Sequence, residues 1–406
     1  MQKKIIAVAI ASALAVPTVV LADTNNVTVY GKANLSLDLV DSGTATTPPA
    51  AGTRSNRISS NVSAIGLKGS EDLGNGLSAI WQIEQEIDMS GAAGTAKSNA
   101  FATRNTFAGL SSKSWGTVLL GRHDTPYKLA TRKLEQFADN IADNRSLMGG
   151  VKAKSAVASF DGRQPDVIAY ITPSFNGFSG LIGYVNLNQA LNLSQALATD
   201  LKAKAWSLAA MYDAAPFYAS LAYEQHDISA GTTPVVQNGG KEKATKLGLG
   251  YTQDAFTIGL AYEKTSDNFG ANAAAQAVAA NATCSGLVAG ADCYGHNAWY
   301  LAGKYNFTSN DAVKLAYTKM GKTAGLVAAQ SDAAKQFTLG YDHSMSKRTT
   351  LYALYTKLTN SANGSFVLSN NASAVNGTVA NNAQLNSIAG TGASPSALSF
   401  GMRHSF

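Results

Sequence analysis

Apolar and polar residues alternate one by one along most of this chain. In VTVYGKANLSLDL, Val27, Val29, Ala33, Leu35, Leu37 and Leu39 fall on one face, and Lys32, Asn34, Ser36 and Asp38 on the other. FYASLAYEQH sets Phe217, Leu221 and Tyr223 against Ser220, Glu224 and His226. FTIGLAYEK sets Phe256, Ile258, Leu260 and Tyr262 against Thr257, Gly259 and Glu263, and KQFTLGYDH sets Phe337, Leu339 and Tyr341 against Thr338, Gly340 and Asp342. A helix would scatter these residues around its axis. A strand separates them, because successive side chains leave opposite faces. The pattern predicts strands near 27–40, 57–72, 77–88, 99–111, 116–124, 164–174, 178–188, 202–213, 217–228, 243–253, 256–266, 297–307, 311–321, 335–344, 348–359 and 396–406.

A short repeat runs through them: SLAYEQ, GLGYTQ, GLAYEK, KLAYTK and TLGYDH. Its Leu and Tyr share a face, and the Gly or Ala between them points the other way. The connections alternate in length. LGNG, SKSWG, FNG, AAP, DA, TSND and SKR are turn-like, whereas DSGTATTPPAAGTRSN and the segment from Asn360 to Pro395 are long and polar. An even set of about sixteen amphipathic strands, joined by short turns at one end and long loops at the other, predicts an all-β fold: a closed antiparallel transmembrane β-barrel. Leucines would then face lipid, tyrosines would form interface belts, and small inward residues would leave the lumen open. A soluble sandwich also alternates, but it would bury these aromatics rather than lay them out as a band. The last strand, ALSFGMRHSF, puts Leu398, Phe400, Met402 and Phe406 toward lipid and Arg403 toward the lumen, and must pair with the first strand so that no edge remains.

Composition narrows the class. Residues 1–22 carry Lys3 and Lys4, an apolar stretch from Ile5 to Leu21 broken by Pro17, and a Val20-Leu21-Ala22 cleavage pattern. These features predict a signal peptide, leaving 23–406 as one barrel domain. Asp23 rather than Cys would follow the cut, which disfavours a lipid anchor. Without Lys3 and Lys4, 30 basic residues face 26 acidic ones, a charge of about +4 that is too mild and too dispersed for a nucleic-acid binder. After residue 22 no apolar run is long enough for a spanning helix. Cys284 and Cys293 share one polar stretch and, in an exported chain, read as a local disulfide, with two free thiols as the alternative. Neither a metal-ligand cluster nor a cofactor motif is evident, so no cofactor is expected.

VTVYGKANLSL, SAIGLKGSEDLGNGLSAIWQIE, TFAGLSSKSWGTVLLGRHDTPY, AYITPSFNGFSGLIGY, YDHSMSKRTTLYALY and the terminal GMRHSF occur in order over nearly all of residues 23–406. Together they resemble the general porins of Gram-negative outer membranes, of the beta-proteobacterial kind. The resemblance implies a homotrimer of sixteen-stranded barrels in contact with outer-membrane lipid and lipopolysaccharide. It also implies recognition of the terminal Phe406 strand by the barrel assembly machinery, and a third external loop folded into the lumen. That loop corresponds to residues 125–163, in which LATRKLEQFADNIA can form a short helix and Glu135, Asp139 and Asp143 recur every four residues. An exposed, solvated acidic face is the alternative. By motif, the opposing wall arginines are Arg104, Arg122 and Arg163. Arg104 shares a face with Thr106 and Ala108, which reads as the lumen face. Arg122, in phase with Val118 and Leu120, needs a bulge to point inward. Where the family often has an arginine on the second strand this chain has Ala64, so the wall cluster is expected to be thinner.

The function expected is passive diffusion of ions and small hydrophilic solutes across a transverse field. A weak anion preference would come from Lys128, Arg132, Lys133, Arg145, Lys152 and Lys154. An outer-membrane enzyme is disfavoured, because His123, His226, His296, His343 and His404 sit in no nucleophile motif. A substrate-specific channel or surface adhesin is the remaining alternative, but the third loop offers few aromatics for a sugar slide beyond Tyr127, Phe137 and Phe160.

Overall fold

The computed structural model describes residues 25–46, 49–50, 52, 54–90, 101–149, 159–187, 203–228, 240–268, 290–326, 328–368 and 391–406. Sixteen antiparallel strands form one closed barrel. β1 spans Asn25–Asp41, and β2 has two parts, Arg54–Ser60 and Ala64–Gly74. β3 (Leu77–Glu86), β4 (Thr106–Ser112), β5 (Gly116–Asp124), β6 (Arg163–Ile171) and β7 (Phe178–Asn186) follow. Then come β8 (Ala203–Ala214), β9 (Phe217–Ile228), β10 (Gly240–Gln253), β11 (Phe256–Asp267) and β12 (Asn297–Asn306). β13 (Asp311–Met320), β14 (Ala334–Ser344), β15 (Thr349–Asn360) and β16 (Ser396–Ser405) complete the ring. Each strand pairs with its neighbours in sequence, and β1 pairs with β16 from Lys32↔Ser405 to Asp41↔Ser396. Closure leaves no unpaired edge, which is what hydrocarbon demands of a spanning sheet. The expected signal peptide lies outside the described residues.

The break in β2 is a bulge. Leu35 faces Ser60 and Lys32 faces Ala64, so the three residues 61–63 oppose two on β1. Val62 takes a φ of +58°, and the side chains on either side lock the kink: Asn61 Nδ2 donates to Ser36 Oγ (2.7 Å), and Ser63 Oγ accepts from Asn34 N (3.0 Å).

The alternation expected from sequence is present. Outward Leu221, Leu249, Leu315 and Leu339 are exposed, whereas Ala222, Ala261 and Ala316 between the repeat residues are buried inward. Aromatic pairs ring the outer face near the short turns: Phe178 with Tyr212, Phe217 with Tyr251, and Phe256 with Tyr305 at centroid distances of 4.7, 5.5 and 4.6 Å. Tyr184 with Trp206 and Tyr262 with Trp299 mark the opposite belt. Leu398, Phe400, Met402 and Phe406 are exposed on the outside as expected.

Some expectations shift. β4 begins at Thr106 rather than 99, and residues 91–100 lie outside the described set. The loop helix, α1, spans Pro126–Arg132, earlier than LATRKLEQFADNIA suggests. Thr125 Oγ1 caps it by accepting from Lys128 N, and the proline directly after the cap suits the first helical turn. Glu135, Asp139 and Asp143 therefore lie beyond the helix, and Asp139 itself has a φ of +59°.

Candidate functional site

Residues 125–149 lie against the inner wall, and their apolar side makes the molecule's principal core. Tyr127, Ala130 and Phe160 pack with wall residues Leu119, Val167, Leu181 and Met211, while Phe137, Ile141, Leu147 and Met148 pack with Ala298, Tyr300, Ala302 and Leu354. The small inward residues of the Leu-Tyr repeat receive this loop. A Cβ on Gly248 or Gly250 would come within 2.9 or 2.8 Å of the Leu134 methyls, and one on Gly340 within 2.5 Å of Phe137. Those positions were expected to leave the lumen open; here the loop fills the space they provide.

Hydrogen bonds fix the loop along β8 to β14. Tyr127 N donates to Ser207 Oγ (3.0 Å), Tyr218 OH donates to Ala130 O (2.6 Å), and Tyr300 OH donates to Glu135 Oε1 (2.9 Å). Behind it, buried Lys246 meets Asp161 at 2.5 Å and lies 4.1 Å from the Tyr127 ring centroid. Glu263 accepts from Tyr127 OH (2.8 Å) and Gly149 N (2.9 Å). His226 sits between Glu224 (2.8 Å) and Glu242 (2.7 Å), with Phe160 stacked on it at 4.5 Å.

Two ionic clusters join the loop to the wall. In the first, Asp139 meets Lys32 of β1 at 2.7 Å and Arg132 at 2.8 Å, and Arg145 stands at 3.9 Å. Asp143 meets Arg132 at 2.8 Å and Arg145 at 3.2 Å. Asn34 Nδ2 donates to Asp139 O at 3.0 Å, so β1 holds the loop by backbone as well as by charge. Burial alone would raise the Asp139 carboxyl, but Lys32, Arg132, Arg104 and Arg145 hold it well below the usual range. Arg132 and Arg145 do the same for Asp143. Glu135 goes the other way: burial, and then the Asp143 charge, push its carboxyl up to about 7. In the second cluster Asp124 receives Lys128 Nζ at 2.7 Å and Arg163 Nη2 at 3.1 Å, while Arg163 Nε donates to Asn105 Oδ1 at 2.7 Å.

The expected site residues are therefore only partly brought together. Asp139, Asp143 and Arg145 converge, and Arg163 is on the wall nearby in a separate pair. Arg104 pairs with Glu84 and stands 3.9 Å from Glu86, but not for the reason inferred from alternation. Ala108 and Leu110 are exposed and Phe107 is buried, so the Thr106–Ala108 face points outward; Arg104 escapes it by preceding the ladder. A bulge does occur beside Arg122, but it is on the facing strand: Gly121 pairs with Val167 and His123 with Gln164, leaving Pro165 and Asp166 opposite one residue. Arg122 stays in phase with Leu120, and its Nε donates to Thr103 O at 2.9 Å. Lys133 leaves the acidic group altogether, reaching Asp213 at 2.5 Å near a short turn. Glu135 turns to the wall instead of joining Asp139. Sequence reasoning did not single out Lys32 or Glu84, whose partners Asp139 and Arg104 lie 107 and 20 residues away, nor Asp124, which pairs with nearby Lys128 as well as with distant Arg163. Lys152 and Lys154 lie outside the described residues, as does Cys284. Cys293 is disulfide-bonded and buried.

A closed barrel whose lumen is narrowed by an inserted, charged loop defines an outer-membrane diffusion channel. The chain belongs to the Gram-negative porin family, whose model matches residues 7–363. It is similar to an outer membrane porin protein of Bordetella pertussis, at 29% identity over 72% of this chain and 76% of that one. Outer membrane porin protein 32 of Delftia acidovorans is 30% identical over 72% of this chain and 73% of its own. Among solved structures, the anion-selective porin from Comamonas acidovorans superposes with a TM-score of 0.70 at 25% identity, covering 94% of this chain and all of that one. Like its family, the protein is a β-barrel of the Gram-negative outer membrane through which ions and small hydrophilic solutes diffuse passively.

Proposed function

We propose that the channel is weakly anion-selective and that its constriction is the group formed by Lys32, Arg104, Arg132, Asp139, Asp143 and Arg145, with Arg163 on the adjoining wall. One observation carries the reading: Asp139 and Asp143 share three cations, Lys32, Arg132 and Arg145. Asp124 likewise holds two, Lys128 and Arg163, against the opposite excess of Glu84 and Glu86 over Arg104. Counting both clusters and the Arg104 group, six cations face five carboxylates, a small positive excess that favours anions without rejecting cations. Similarity to an anion-selective porin supports the same sign. The fold and the family also support assembly as a homotrimer, export by a signal peptide cleaved after Ala22, and recognition of Phe406 during assembly. The test is the zero-current potential of purified protein in a planar bilayer under a salt gradient. A reversal of the sign expected for anions, with conductance in steps of three, supports the reading. Cation-directed reversal sinks it.

A further inference from the structure

Arg403 of β16 belongs to neither ionic cluster of the constriction, yet it stands beside one of them. Phe400 and Met402 are exposed on the lipid side, which turns Arg403 into the lumen. Its ladder neighbours are Thr350 on β15 and Asn34 on β1. Asn34 is the residue through which β1 grips the loop: its Nδ2 donates to Asp139 O at 3.0 Å, and its Oδ1 accepts from Tyr352 OH at 3.1 Å. Side chains directly opposite in a ladder start about 5 Å apart, so Arg403 borders the loop's anchor. On the other side of β1, Ala64 lies opposite Lys32 and brings no charge to the wall.

The inward carboxylates of β1 and β14, Asp38 and Asp342, are already engaged. Asp38 accepts from Ser36, Ser59 and Ser399 at 2.8, 2.5 and 2.6 Å. Tyr352 screens that group from Arg403, because its ring lies over Gly401, where a Cβ would overlap it, and Gly401 faces Ser36 in the row between. Asp342 receives Lys314 at 2.8 Å, and Asp139 holds Lys32 and Arg132. Among the described residues no ion pair or hydrogen bond engages the Arg403 guanidinium, although its charge reaches Tyr352 and Lys314 on the same inner wall. A guanidinium stays ionised, and an ion without a protein partner must be hydrated. For an inward side chain that water is the water of the lumen.

We propose that Arg403 is a specificity-determining residue of the channel, presenting a hydrated positive charge to the ion path where the wall meets Asp139. It supplies from β16 the charge that Ala64 leaves out on β2. Small anions are drawn past the Asp139 carboxylate by it, and small cations are held back. The inference rests on the constriction proposed at Asp139 but not on the sign of wild-type selectivity, since loss of Arg403 moves the ratio toward cations whichever ion the channel prefers.

Reversal potentials of Arg403→Gln, Arg403→Lys and Arg403→Cys in planar bilayers under a potassium chloride gradient test it. At about 0.1 M salt the chloride-to-potassium permeability ratio should fall about threefold in Arg403→Gln, as one unit charge several ångströms from the ion path in water would give, and hold in Arg403→Lys. The difference should vanish near 1 M, where screening shortens to about 3 Å; a displaced loop would keep it. On Arg403→Cys, with Cys293 already disulfide-bonded, a cationic methanethiosulfonate should restore the ratio and an anionic one should lower it further. A merely structural arginine would show neither response. An unchanged ratio in Arg403→Gln, an equal loss in Arg403→Lys, a loss that persists at 1 M, or no response of Arg403→Cys to either reagent overturns the proposal. A potassium-preferring wild type whose ratio still falls in Arg403→Gln would sink the anion-selective reading and leave the role of Arg403 standing.

Discussion

At the scale of single residues, the proposed constriction turns on Asp139. Among the described residues it is the one carboxylate bonded both to a wall lysine, Lys32, and to a loop arginine, Arg132. Asp139→Asn keeps the shape, releases Lys32 and leaves Arg132 to Asp143 alone, which adds one net positive charge at the lumen. The anion-to-cation permeability ratio should rise severalfold, read from the zero-current potential, with little change in conductance. Glu135 sets a pH dependence of the opposite kind. Its carboxyl is raised to about 7 by burial and by Asp143, so the folded loop binds a proton more tightly than the unfolded chain does. That stabilisation is complete below the ordinary value near ~4.3 and is lost as pH rises through 7. Wild type should therefore lose at most about 3 kcal/mol relative to Glu135→Gln between pH 5 and pH 8. Melting temperatures of both proteins across that range check it; parallel curves would refute it. Asp139 and Asp143, held low, contribute stability that is present above the ordinary carboxylate value and disappears only in stronger acid.

At the scale of elements, the strands were readable from alternation because one face meets lipid and the other meets the loop, so a one-residue slip would invert every side chain. The repeat glycines were readable as small, but not as sockets. Their occupants, Leu134 and Phe137, are more than a hundred residues away in sequence, and nothing local announces them. Gly340→Val should cost about 1–3 kcal/mol by overfilling the Phe137 site. In a double-mutant cycle, Phe137→Ala should recover part of that loss, a coupling above about 0.5 kcal/mol; additive losses would mean the two do not share space. The loop itself was misread in an instructive way. The i, i+4 spacing of Glu135, Asp139 and Asp143 suggested a helical face, yet Thr125-Pro126 carried the stronger signal of a cap and a first turn. Asp139 and Asp143 converge by tight turns around Arg132, and Glu135 is drawn off by Tyr300. Arg122 was expected on the wall by motif and Lys133 in the constriction by charge, but strand phase keeps Arg122 beside Leu120 and Asp213 draws Lys133 away.

At the scale of the whole molecule, everything depends on closing the ring, and closure meets at the two ends of the chain. Gly31 N donates to Phe406 O at 2.9 Å and Phe406 N to Gly31 O at 3.1 Å, which extends the β1–β16 ladder to the final residue. The Phe406 ring covers Gly31 so closely that a Cβ there would overlap it. A terminal aromatic thus has a structural task besides any recognition during assembly, and the two separate experimentally. If Phe406 helps seal the seam, Phe406→Ala should lower the yield of protease-resistant barrel severalfold even in synthetic vesicles without assembly machinery. Gly31→Val, which denies the ring its seat while leaving the terminal residue intact, should do the same. If Phe406 serves only as an address, both variants should fold normally in vesicles, and Phe406→Ala alone should fail in cells. Phe337→Ala is the control: its ring faces outward on β14, which pairs with β13 and β15 and not with the seam, and its loss should leave closure unaffected in either setting.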